Sequence, residues 1–231
     1  MPSIDHTERH FLASDSVRDV VIGMADGLTV PFALAAGLSG AVASGHIIVT
    51  AGMAEIAAGA IAMGLGGFLA ARTDRQHYHS EYRRELRETE ETPDEERREV
   101  AAIFREQGLD EAQINIIVRA ITRDRARWVN FMMRFELGLI EPEARRAPVS
   151  ALTIGVSYAL GGLIPLLPYM LLASLPAALR LSIALTLATL FLFGLVKGKL
   201  TGVRPIVGGL QTMLIGGLAA TAAFLLARAI A

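Results

Sequence analysis

Between Gly27 and Ala71 the only ionisable side chains are His46 and Glu55, and beyond Glu143 the chain has no carboxylate. Runs this long without charge dictate the fold class. A helix needs about 20 residues to cross a hydrocarbon core of roughly 30 Å. The block from Val17 to Ala71 is long enough for two such helices, with a break at the small, polar patch Ala43-Ser44-Gly45-His46. Ala151–Ala173, Ala177–Val196 and Pro205–Ala227 supply three more, interrupted only by Arg180. A content of 52% hydrophobic and 19% charged side chains belongs to a membrane protein rather than a soluble domain. The expected fold is an all-α membrane protein with five transmembrane helices and a three-helix insert between spans 2 and 3.

Charge is poorly mixed along the chain. Of its 23 acidic residues, 17 fall between Arg72 and Arg146, so the net charge of −1 averages a nearly uncharged body and a dense insert. The organisation read from this is a short N-terminal segment (1–16), spans 1 and 2 (17–72), the charged insert (73–146) and spans 3 to 5 (147–231). The N-terminal segment is polar and lacks the positive flank and apolar core of a signal peptide, so it is expected to stay attached. There is no cysteine, hence no disulfide, thiolate metal site or thiol nucleophile. Arg and Lys concentrate in the insert and in the Lys197–Arg204 loop. By the positive-inside rule the N-terminus and insert are cytosolic and the C-terminus lies outside.

Helical punctuation runs through the insert. Thr92-Pro93 fits an N-cap followed by proline at the first helical position. Gly108 fits a helix end, and Asp110 with Gln113 resembles a capping box. Ile114, Ile117, Val118, Ile121, Trp128, Met132 and Phe135 then keep helical spacing as one long apolar stripe. The first insert helix is expected to run straight out of span 2.

Carboxylates inside spans carry the chemistry. Asp26 lies in span 1 just before Pro31, and such a group costs several kcal/mol in a bilayer unless it faces a cavity or a partner. Asp15, Asp19 and Asp26 fall within about 40° on a helical wheel, an acidic line leading inward. Asp26 could instead serve as an interfacial N-cap. Glu55 opens the apolar run of span 2, with Met63 about two turns further on. A carboxylate with a thioether suits a borderline transition ion, although Met63 alone would be ordinary packing.

In the insert, Asp74, His77, Glu81, Glu85 and Glu88 share roughly 80° of helical arc. Like charges stacked this way repel until a cation sits among them. A second carboxylate helix, bearing Glu95, Glu96 and Glu99, follows at once, and Glu136 is expected to point into the bundle interior beside Met132 and Met133. The plain alternative is a solvated face laced with pairs such as Arg84–Glu88 and Arg87–Glu91. No Gly-rich phosphate loop and no Glu-x-x-His pair occurs, which argues against an ATP-driven pump and a ferritin-like oxidase. Nothing points to an enzyme or to nucleic acid.

At these residues the sequence resembles the vacuolar iron transporter family, in its insert-containing type. The resemblance rests on Asp26-Gly27-Leu28-Thr29-Val30-Pro31 with Gly37, on the Ala54–Gly67 run around Glu55 and Met63, and on the acidic insert with Met132-Met133 and Glu136. It covers the chain from Ser14 onward. It implies a homodimer in the lipid bilayer that exports Fe²⁺ from the cytosol in exchange for protons. Asp26, Glu55 and Met63 then become path residues, and the acidic line of span 1 adds Asp19 to them. Glu85, Glu88, Glu96, Glu99, Met132, Met133 and Glu136 become a cytosolic metal site, and the shared helical arc adds Glu81 to it. No prosthetic group is implied. Fe²⁺ or Mn²⁺ is the ion carried and bound, with Zn²⁺ or Co²⁺ as surrogates. The membrane would be the plasma membrane in a bacterium and the vacuolar membrane in a eukaryote. A membrane-anchored metal-binding or storage accessory without transport is the alternative.

Overall fold

The computed structural model describes residues 15–230, so all but the last two residues of the N-terminal segment lie outside it. Eight helices follow in order: α1 (Asp15–Ala41), α2 (Gly45–Glu91), α3 (Pro93–Glu106), α4 (Glu111–Thr122), α5 (Arg125–Phe135), α6 (Arg146–Leu171), α7 (Leu175–Leu200) and α8 (Pro205–Ile230). Among the described residues α1, α2, α6, α7 and α8 are each long and apolar enough to cross a membrane. The chain is thus an all-helical membrane protein. It divides into two compact units, Leu69–Arg146 being one and the flanking sequence the other.

In the membrane unit α1 is central, packing against α6, α7 and α8. Where Gly23 and Gly27 meet α6, an added Cβ would strike the carbonyls of Ile154 and Tyr158. Without side chains there, the two backbones approach closely, the arrangement that binds helices in lipid. On the other sides Phe32 and Ala36 pack with Ala220 of α8, and Ala35 joins Ile48, Ile56, Leu166, Tyr169 and Ala178 in a second cluster. The α1 helix runs through Pro31 without interruption. The proline ring sits against Gly162, 3.0 Å from where a Cβ would stand.

The other unit starts within α2, which continues for 47 residues from the apolar span into the charged segment. Pro93 opens α3, with Thr92 as N-cap but without a side-chain capping bond; the Thr92 hydroxyl instead donates to the Glu88 carbonyl. Gly108 turns the chain at φ +85°, where a side chain would be strained. Asp110 and Gln113 then close the capping box in both directions, at 2.8 and 3.0 Å.

One long helix was the expectation for the segment after Asp110, and the structure breaks it in two. Asp124 caps a new helix, its carboxylate accepting from the Arg127 amide at 2.8 Å. A short polar side chain that bonds its own following backbone competes with helix continuation, and here it wins. With α3, α4 and α5 beyond α2, the insert has one helix more than its sequence suggests. The break also ends the apolar stripe early: Trp128 and Met132 stay in the core with Val100, Ile114 and Val118, whereas Phe135 is 59% exposed.

Candidate functional site

The first cluster lies in the membrane unit and is organised by Tyr158, a residue that sequence reasoning did not single out. Tyr158 is buried on α6, its backbone against Gly27, the neighbour of Asp26. Its ring crosses to α2, where Gly59 leaves the space: a Cβ on Gly59 would collide with the phenol oxygen. There the hydroxyl donates a hydrogen bond to Glu55 Oε1, and the Asp26 carboxylate acts electrostatically on the same hydroxyl. Glu55 Oε2 is buried and has no hydrogen-bond partner. Glu55 thus holds the phenol through one carboxylate oxygen and keeps one acceptor oxygen left over. Asp19 is buried on α1, two turns before Asp26. Met63 is half-buried, about two turns beyond Glu55 on α2. A signal for Tyr158 was available in the sequence: a phenol in an uncharged span, one of two there with Tyr169, needs a hydrogen-bond partner.

The second cluster belongs to the insert. Burial raises the Glu96 carboxyl to about 8, and the surrounding charges of Glu99, Glu85, Glu88 and Glu136 add to the effect. Desolvation likewise lifts Glu136 to about 7, with Glu99, Glu85 and Glu88 pushing the same way and Arg84 opposing. Glu85 is also raised, first by burial and then by Glu88, against the pull of Arg84. So α2, α3 and the end of α5 bring Glu85, Glu88, Glu96, Glu99 and Glu136 within electrostatic reach of one another. Glu85 and Glu96 are 2% and 4% exposed, and each keeps one buried oxygen without a partner. Buried acceptors left unpaired are costly, and a cation would satisfy them.

Details of that cluster differ from expectation. Glu136, at the end of α5, is exposed over the residue as a whole, while its carboxyl is partly desolvated on the side facing Glu99, Glu85 and Glu88. Met132 and Met133 are buried as packing, Met132 beside Val100 and Trp128, Met133 beside Tyr78 and Val129. Glu81 pairs with Arg84 at 2.8 Å and lies 3.9 Å from His77. Among the described residues no three His, Asp or Glu side chains are arranged about one point as metal ligands.

Five apolar helices joined to a carboxylate-rich helical insert define a polytopic membrane protein. The chain belongs to the VIT family, whose profile matches residues 17–228. It is 52% identical over 226 residues to vacuolar iron transporter 2 of Oryza sativa subsp. japonica, covering 98% of this chain and 92% of that one. Vacuolar iron transporter 1 of Arabidopsis thaliana is 51% identical over 97% of this chain and 90% of its own length. Protein CCC1 of Saccharomyces cerevisiae is 38% identical over 90% of this chain and 67% of its own.

Proposed function

We propose that this protein carries Fe²⁺, with Mn²⁺ as a second cargo, out of the cytosol in exchange for protons. The observation that carries the reading is the Asp26–Tyr158–Glu55 constellation within the spans. A carboxylate in a span with an unpartnered oxygen is unfavourable when it is ionised and alone. Either a metal ion or a proton removes that penalty, and both cannot occupy one site. Alternating occupancy by the two is the physical basis of exchange. Asp26 and Glu55 are the acceptors, Met63 a softer stop along the path, and Asp19 the entrance. Names of the plant relatives, all iron transporters, support transport over a mere anchor.

In this reading the insert is a cytosolic capture site. Glu81, Glu85, Glu88, Glu96, Glu99 and Glu136 supply oxygens, and Met132 or Met133 joins them only if its helix shifts out of its packed position. Oxygen donors accept Zn²⁺ or Co²⁺ as surrogates. A homodimer is part of the reading. The support is α2, which leaves Ala57, Ala58, Ala62 and Gly66 exposed, a small-residue surface that lets helices meet in lipid.

Flux of Fe²⁺, Mn²⁺, Co²⁺ and Zn²⁺ into proteoliposomes, with and without an imposed pH gradient, tests the proposal. Metal entry that alkalises the lumen in step with flux is expected, because each ion entering drives protons out; acidification in step with flux would mean co-transport and refute exchange. Flux indifferent to the gradient removes proton exchange, and no flux of any metal returns the protein to the anchored-accessory reading.

A further inference from the structure

Arg84 stands where a metal ion would be useful. On α2 its guanidinium reaches three of the carboxylates: Nη1 to Glu81 at 2.8 Å, Nη2 to Glu85 at 3.5 Å and Nε to Glu88 at 3.4 Å. Only the first is hydrogen-bond length; Nε is buried without a proper acceptor, as are Glu85 Oε2 and Glu96 Oε2. One monovalent group is therefore spread over sites that outnumber it. The charges acting on Glu96 are all carboxylates. Arg84 is the named cation that acts on both Glu85 and Glu136.

We propose that Arg84 is the built-in counter-ion of the metal-free insert, and that a divalent cation binds by displacing its guanidinium. The inference rests on the insert being a metal site, and it adds how that site excludes the wrong ions. It also accounts for the absence of a converged ligand set: the carboxylates of α2 fan out around a planar fork and do not converge on a point. A tethered side chain competes at high effective concentration. A monovalent ion offers no more charge than Arg84 already supplies, so it cannot dislodge it. A divalent ion offers more, and can also bridge to Glu96 and Glu99, which Arg84 does not pair with among the salt bridges of the described residues. Arg84 thereby sets the metal concentration at which the insert fills.

The experiment uses the full chain in detergent with Zn²⁺ as probe, followed by calorimetry and by the fluorescence of Trp128. That is the only tryptophan in the sequence, and it lies in the insert core. Arg84→Gln is expected to tighten Zn²⁺ binding about tenfold, equivalent to about 1.4 kcal/mol. Arg83→Gln is the control: it removes the same charge from an exposed side chain that bonds its own helix at the His79 carbonyl. It should change affinity less than about threefold. Equal effects of the two variants mean a diffuse field and overturn displacement. So does unchanged or weaker binding in Arg84→Gln. On the wild type, phenylglyoxal labelling of Arg84 read by mass spectrometry should accelerate when Zn²⁺ is added; slower or unchanged labelling overturns the proposal without needing a variant. Wild-type protein that binds no Zn²⁺ overturns the metal site itself along with the role of Arg84.

Discussion

Glu96 makes the stability of the metal-free insert fall as pH rises. Its carboxyl sits at about 8 in the folded protein against an ordinary value of 4.5, first because it is buried and then because Glu99 and Glu85 face it. The folded state therefore holds a proton that the unfolded state has released. Stability from this neutral form is fully present below 4.5 and is lost as pH climbs through about 8. One proton corresponds to about 1.4 kcal/mol per pH unit inside that window. Halving this for relaxation of the neighbouring carboxylates leaves about 1.4 kcal/mol between pH 5 and pH 7. For a unit of this size that lowers the melting temperature by about 6–11 °C. The assay is thermal unfolding in chelator followed by Trp128, which reports on the insert alone because no other tryptophan exists. Glu96→Gln keeps the shape and removes the titration, so its melting curve should be flatter with pH and higher at pH 8. A stability that rises between pH 5 and pH 7, or a variant with the wild-type slope, would refute the reasoning.

Three further outcomes are expected. Asp26→Asn should abolish metal flux in proteoliposomes while leaving the protein folded, and wild-type, pH-dependent flux would remove Asp26 from the path. Tyr158→Phe deletes the bond to Glu55 Oε1 and nothing else, so flux should change about tenfold while melting shifts by only about 1 kcal/mol; an unchanged rate would make the bond merely structural. Glu85→Ala with Glu88→Ala should weaken capture at low metal yet leave flux at saturating metal, and loss of all flux there would make the insert a gate.

The division between what was legible in the chain and what was not follows from the range of the forces. Span number came from hydropathy, because the bilayer acts on each segment separately and a run such as Pro205–Ala227 has one low-energy choice in lipid. Helix ends at Pro93, Gly108 and Asp110 were readable too, since capping is settled within four residues. The continuous passage of α2 from apolar to charged sequence fits the absence of proline between Gly45 and Glu91, its glycines all falling in the apolar part where lipid favours the helix. Asp124 was misjudged for the opposite reason: a single cap competes with an apolar stripe, and their relative strength depends on what Trp128 and Phe135 find to pack against. Asp26 and Glu55 stood out as costly charges in uncharged surroundings, but nothing in the chain ties them to Tyr158, 103 residues from Glu55. That link needed Gly27 and Gly59 to admit α6 between α1 and α2. In the insert the local Arg84–Glu88 spacing was visible, but only as the plain alternative of a solvated pair beside the metal-face reading. Only the tertiary structure set Glu96, Glu99 and Glu136 beside it, and charge at a distance, unlike hydropathy, has no meaning until the chain has folded.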